Sequence, residues 1–288
     1  MGSALTTIAL PVALGIIMFG LGLTLTPRDF ARVARQPKAV IVALVCQLVL
    51  LPLVCFGLVL AFQLPPALAV GMLLLSASPG GTTANLYSHL FRGDVALNIS
   101  LTAINSVISV VTLPLIANLS IAYFMAGEGQ LGIDLVEALK VVAIVLLPVA
   151  LGMLVRRWRP AFADSMDKPV RIASVIILVV VIVGAVVSNL TALVENFAAL
   201  AGITVLFCLL SLTIGRLVPR LFGVTREQAI ASSFEIGIHN ATLSIVIAQT
   251  VLDNFEMSLP AAVYGVLMFF VAAAFGFATT RRREPVAA

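Results

Sequence analysis

Charge is scarce in this chain. Only 10% of its 288 residues are Asp, Glu, Lys or Arg, against about 25% in a water-soluble domain. No stretch is polar enough for a soluble domain or a long disordered tail, and no linker divides the chain. Cysteine is nearly absent as well. Cys46, Cys55 and Cys208 all sit inside apolar runs and form no spaced framework for zinc or disulfides, so they read as small core residues. The chain has only two histidines. It lacks a His-Glu-x-x-His sequence, paired catalytic aspartates and a Ser/His nucleophile arrangement, which counts against an intramembrane enzyme. That alternative keeps one motive, since Glu235 and His239 are spaced like two metal ligands on one helix face. The net charge of +4 does not imply nucleic-acid binding, because the basic residues lie between apolar runs.

Hydrophobic residues make up 61% of the chain. Runs of about 20 apolar residues, long enough to cross a bilayer, follow one another throughout. With charges and Pro/Gly clusters as borders, they read as 4–25, 38–62, 65–91, 95–123, 134–155, 170–189, 197–218, 225–250 and 260–279, nine spans in one domain, 1–288. The first run lacks a basic leader and exceeds the core of a signal peptide, so it reads as a retained span. On this count 16 of the 17 basic residues fall on one side, and only Lys140 is left over. The opposite loops carry Glu128, Asp134, Glu195, Asp253 and Glu256. The positive-inside rule then predicts an external N-terminus and a cytoplasmic C-terminus.

Two spans depart from plain apolar helix. The third contains Ser76-Ala77-Ser78-Pro79-Gly80-Gly81-Thr82-Thr83-Ala84-Asn85, where Pro79 removes a backbone donor and Gly80 and Gly81 favour leaving the helix. The eighth contains Phe234-Glu235-Ile236-Gly237-Ile238-His239-Asn240, with a carboxylate, an imidazole and an amide in mid-span. Interruptions are expected at 78–83 and 235–241, with Pro79, Gly80, Gly81 and Gly237 as the breaking residues. Open backbone in hydrocarbon persists only where protein or a watery cavity satisfies it. An intramembrane carboxylate costs about 3 kcal/mol on insertion scales. The two breaks are therefore expected to face each other and share ligands. They lie five spans apart, an odd offset that predicts opposite crossing directions. Inverted repeats of 4+5 helices would produce that placement, and such repeats point to a transport site at the midplane.

At these residues the chain resembles the bile acid:sodium symporter family, in its bacterial branch. The resemblance covers nearly the whole length. It runs from Leu14-Gly15-Ile16-Ile17-Met18-Phe19-Gly20 and Gly22-Leu23-Thr24-Leu25 through Gln47, Pro79-Gly80-Gly81-Thr82 and Asn85. It continues with Arg92-Gly93-Asp94-Val95-Ala96-Leu97 and ends with Glu235-Ile236-Gly237-Ile238 and Asn240. It implies an all-α polytopic membrane protein of nine transmembrane helices, lacking the first helix of ten-helix relatives. A panel and a core domain are expected, with the interrupted helices crossing in the core.

The implied activity is sodium-coupled symport of a small organic anion, a carboxylate or sulfonate, with Na+ as coupling ion and no other cofactor. The partners are the anion, Na+ and the lipid bilayer, with no nucleic acid and no obligate protein partner. The implied location is the bacterial inner membrane. Carried over by the resemblance, a first sodium site uses Asn85, Asn98, Thr102 and Glu235. A second uses Gln47, Glu235, the carbonyls of Ile236 and Ile238, and position 239. The chain departs from the family pattern at Ala84, where a serine is common, and at His239, where relatives have glutamine. Imidazole nitrogen is a poor ligand for a hard alkali cation. The anion would contact Thr82, Thr83 and Asn240. A proton-coupled or uncoupled transporter of the same fold is the first alternative, motivated by Ala84 and by His239, whose unperturbed pKa is about 6.5.

Overall fold

The computed structural model describes residues 10–33, 35–126, 135–188 and 190–280. Among them all regular structure is helical, apart from a single antiparallel bridge between Gly80 and His239. The helices are α1 (Leu10–Thr24), α2 (Pro27–Val33), α3 (Pro37–Val45), α4 (Leu51–Phe62), α5 (Pro66–Ser76), α6 (Thr83–Leu90) and α7 (Val95–Phe124). They continue with α8 (Leu135–Trp158), α9 (Pro160–Ser188), α10 (Leu190–Leu221), α11 (Arg226–Gly237), α12 (Ala241–Thr250) and α13 (Leu259–Thr280). A single π-type turn, Cys46–Leu50, joins α3 to α4, so Pro37–Phe62 runs as one 26-residue helix.

Six segments among the described residues are long and apolar enough to cross a bilayer: Pro37–Phe62, Val95–Phe124, Leu139–Trp158, Pro160–Ser188, Leu190–Leu221 and Glu256–Thr280. Three shorter apolar helices, α1, α5 and α12, accompany them. The radial distribution is that of a membrane protein. Val111, Val187, Leu221 and Phe270 are at least 70% exposed on the outside, while Asn98, Thr102, Glu235 and His239 are fully buried. Lipid solvates the apolar rim, and the polar groups must find partners within the bundle. The protein is a multi-pass helical membrane protein.

Helix α1 packs on α8 and α9. A Cβ on Gly22 would strike the Val149 backbone, and one on Gly152 the Phe19 carbonyl oxygen, so the α1–α8 contact is backbone on backbone. Small residues permit such approach where no hydrophobic effect drives helices together. The remaining helices form the larger part of the molecule. One apolar cluster joins residues of α3, α4, α9, α10, α11 and α13, including Leu51, Ile182, Phe207, Phe234 and Tyr264. A second links α1 and α8 to α5, α7 and α12 through Leu14, Val70, Leu113, Val145 and Leu243.

Several helices outrun the apolar windows that mark them in the sequence. The run expected at 170–189 is the end of α9, which begins at Pro160. Its first turns carry Asp164 and Lys168, which end a hydropathy window but not a helix, and an Arg156–Asp164 ion pair of 2.7 Å ties them to α8. The run 197–218 likewise lies inside α10, Leu190–Leu221. The beginning of the first run, residues 4–9, the loop acids Glu128 and Asp134, and Arg281, Arg282 and Arg283 lie outside the described residues.

Candidate functional site

The two interruptions meet. Helix α5 stops at Ser76, where the Ser76 and Ser78 hydroxyls each donate 2.7 Å bonds back to the Leu73 and Leu75 carbonyls, and Pro79 follows with no N–H. Helix α11 runs through Glu235 and ends at Gly237, so its gap is narrower than expected, Ile238 to Asn240. Across the crossing, Gly81 N–H donates to Ile238 O at 2.7 Å and Asn240 N–H donates to Pro79 O at 2.9 Å. Each broken helix thereby satisfies a backbone group released by the other. Asn240 also caps α12, its Oδ1 accepting from Leu243 N at 3.0 Å.

Gly80 and Gly81 lie in the break between α5 and α6, and Gly237 is the last residue of α11. Gly80, Gly81 and Gly237 do not have positive φ, and Gly223 is the described glycine that does. Gly80 is required by space, because a Cβ there would land on the Glu235 carboxyl group. Gly237 lies against Leu212 of α10 in the same way.

Glu235 lies at 0% exposure beside the crossing. The Thr102 hydroxyl is 2.6 Å from its Oε2, and Asn105 Nδ2 is 3.4 Å from its Oε1. One turn before Thr102, Asn98 donates both amide protons, at 2.8 Å to Ser88 Oγ and 2.8 Å to Ala231 O. Asn98, Thr102 and Asn105 line one face of α7 because their spacing follows the helical repeat. Among the described residues, none of the ion pairs neutralises Glu235.

Among the described residues five buried amide oxygens accept no hydrogen bond: Gln36 Oε1, Gln47 Oε1, Asn85 Oδ1, Asn98 Oδ1 and Asn105 Oδ1. For three of them the orientation is dictated by neighbours. Gln47 Nε2 donates to Ser78 O at 3.0 Å, Asn98 Nδ2 to Ala231 O and Asn105 Nδ2 to Glu235. Flipping any of these amides would set oxygen against oxygen. An unpaired buried acceptor costs about 1–3 kcal/mol. Uncharged oxygens beside a carboxylate are the ligand type that hard cations take. The other orphaned atoms are Ser232 Oγ and His239 Nε2.

His239 stacks on Phe207 (ring centroids 5.5 Å, interplanar angle 12°) and meets Tyr264 edge-on at 5.5 Å. Its Nδ1 lies 3.3 Å from Ser78 O, the same carbonyl that Gln47 reaches. A carbonyl accepts only, so Nδ1 carries the proton and Nε2 presents a lone pair. Tyr264 closes this side with a 2.9 Å bond to Gly237 O. The structure thus brings Gln47 and His239 together at Ser78 O, joins Thr102 to Glu235, and bonds Asn98 to Ala231 O, one turn before Glu235 on α11. Ile236 and Ile238 are buried, and the Ile238 carbonyl already receives the Gly81 N–H. Asn85, in the first turns of α6, lines a cavity.

That cavity, of about 350 Å³, is lined by Ile17, Leu21, Thr82, Thr83, Asn85 and Ile99 among others. A neighbouring cavity of about 360 Å³ shares Ile17, Leu21, Thr82 and Thr83, and adds Gly80, Asn240 and Thr242. Both lie between α1 and α9 on one side and the broken helices on the other. The starts of α6 and α12 border this space, and helix starts offer unpaired N–H groups to an anion.

Sequence reasoning gives Asn105 no role beyond helix packing, names Ser78 only as part of the broken stretch, and passes over Ser88, Phe207 and Tyr264. Asn105 follows Asn98 and Thr102 on the same helical face, but that spacing alone does not separate a ligand from a packing residue. The others contribute a backbone carbonyl or come from distant segments, and no local pattern marks them. The π-type turn that carries Gln47 is also unmarked, although Pro52 follows it, and such turns recur at functional sites.

Fold and site together define a multi-pass membrane protein with a polar crossing of two broken helices, the architecture of secondary transporters. Residues 11–196 match the sodium bile acid symporter family. Over 259 residues the chain is 30% identical to the "Uncharacterized sodium-dependent transporter YocS" of Bacillus subtilis, covering 88% of this chain and 78% of that one. It is 30% identical to the chloroplast protein "Probable sodium/metabolite cotransporter BASS1" of Arabidopsis thaliana, covering 88% of this chain and 62% of the plant one. It is 25% identical to the human ileal sodium/bile acid cotransporter, covering 89% of this chain and 73% of the human one. The chain belongs to the sodium bile acid symporter family.

Proposed function

We propose that this protein is a secondary active transporter of the bacterial inner membrane, coupling inward movement of Na+ to uptake of a small organic anion by alternating access. One observation carries the reading: buried amide oxygens, their nitrogens spent on fixed acceptors, accompany a buried carboxylate at the crossing of two broken helices. A cation supplies what those oxygens lack. Sodium at Asn85, Asn98, Thr102 and Glu235 neutralises the acid and ties α6, α7 and α11 together. A second sodium position comprises Gln47, Glu235, the Ile236 and Ile238 carbonyls and residue 239. The anion then binds at Thr82, Thr83 and Asn240, where the α6 and α12 helix starts face the cavities.

The names of the relatives, which include sodium-dependent transporters and bile acid or metabolite cotransporters, support this reading. In the proposed architecture, residues 1–288 form nine spans in a 4+5 inverted repeat, with the N-terminus outside. Helices α1, α8 and α9 form the panel, and the core carrying the crossing rocks against it.

The test is anion uptake into proteoliposomes with and without an inward sodium gradient. Uptake indifferent to sodium rejects the coupling. A second reading, proton-coupled or uncoupled transport, is favoured by His239, whose Nε2 is buried without a partner. Uptake driven by a pH gradient and blind to sodium selects it.

A further inference from the structure

The sodium ligands transferred by resemblance stop at Thr102 on α7, but the structure continues the set by one turn. Asn105 is 2% exposed, and its side chain has two distinct ends. Nδ2 points at Glu235 Oε1, 3.4 Å away. Oδ1 is buried and accepts no hydrogen bond. The orientation is not arbitrary, because a flipped amide would turn its oxygen on the carboxylate. Asn105 therefore holds the acid with its donor end and leaves an uncharged oxygen free beside it. Thr102 behaves in parallel, its hydroxyl committed to Oε2 at 2.6 Å. Both carboxylate oxygens are thus tethered to α7, and the same helix supplies unpaired oxygens from Asn98 and Asn105 on the same face.

We infer that Asn105 is a further ligand of the coupling sodium, contributing Oδ1 while Nδ2 fixes Glu235 in its ligating pose. The inference rests on the transport reading above. It also gives the site a property beyond affinity. Selectivity between hard cations follows ligand number and cavity size. Removing one oxygen from the shell favours a smaller ion that needs fewer ligands, so loss of Asn105 shifts preference from Na+ toward Li+. A residue that only positioned Glu235 would weaken both ions by one common factor.

The experiment compares the full-length wild type with Asn105→Leu in detergent. Thermal stability is followed against NaCl and LiCl, with ionic strength held by choline chloride. Half-saturating Na+ is expected to rise roughly tenfold in Asn105→Leu, the effect of one lost ligand interaction, and Li+ to rise less. Should Asn105→Leu fail to fold, Asn105→Ser is read identically, because its shorter side chain withdraws the same oxygen. An unchanged sodium midpoint overturns the inference, as does an equal loss for both ions. Wild type that gains no stability from sodium overturns the transport reading first, and this ligand with it.

Discussion

Gly80→Ala is the sharpest prediction of the proposed coupling. The substitution adds one methyl group, at a position where it would coincide with the Glu235 carboxyl group. Gly80 is also half of the antiparallel bridge to His239, so its backbone cannot retreat without opening the crossing. Overpacking of a filled interior costs about 1–3 kcal/mol. If the carboxyl group yields instead, it leaves the Thr102 hydroxyl, now at 2.6 Å, and a hydrogen bond to a charged group contributes about 1.5–3 kcal/mol. Either route falls on the sodium-binding geometry, and each 1.4 kcal/mol is about tenfold in affinity. Half-maximal sodium for anion uptake in proteoliposomes is therefore expected to rise between about tenfold and a hundredfold. Saturating sodium should restore much of the rate, since the proposed anion contacts at Thr82 and Asn240 are untouched. A Gly80→Ala protein with the wild-type sodium curve would show that Glu235 does not ligate sodium in this pose.

Further outcomes follow from the same geometry. Glu235→Gln should abolish sodium-stimulated uptake while the protein still inserts, which flux and membrane-fraction measurements check together; sodium-driven uptake at the wild-type rate would remove this acid from the site. Asn240→Ala removes the α12 cap, worth about 0.5–2 kcal/mol, and an amide bordering the cavity, so anion affinity should fall while sodium-induced stabilisation persists. His239→Gln exchanges an imidazole nitrogen for an oxygen ligand at the crossing, and the sodium dependence of uptake should steepen; an unchanged Hill slope would count against a second sodium position there. Tyr264→Phe deletes the 2.9 Å bond to Gly237 O and should lower stability by about 1 kcal/mol, read as a drop in melting temperature.

Much of the site is legible in the sequence because hydrocarbon is an unforgiving solvent. Pro79 and Glu235 in otherwise apolar runs demand compensation wherever they sit, so their positions alone predict an encounter. The transferred residues Asn98, Thr102 and Glu235 do come together, and Gln47 reaches the crossing through Ser78 O. Asn105 escapes such reasoning because a single amide in a helix is more often interhelical glue. Its difference lies in a donor aimed at Glu235, 130 residues away in sequence. The glycines stand out in the sequence for only part of their role. Their value as helix breakers is visible there, whereas the carboxylate that leaves no room for a Cβ at Gly80 belongs to another helix.

The order of apolar runs, the scarcity of charge and the two broken stretches by themselves determined that this chain lives in a membrane and that something polar lies inside it. Transfer free energy is a property of residue type and run length, so composition suffices for that conclusion. The tertiary structure alone decided which donor meets which acceptor. Gly81 N–H finds Ile238 O, and Asn240 N–H finds Pro79 O. Hydrogen bonds depend on direction and on tenths of an ångström. Those quantities arise only when helices far apart along the chain are packed against one another.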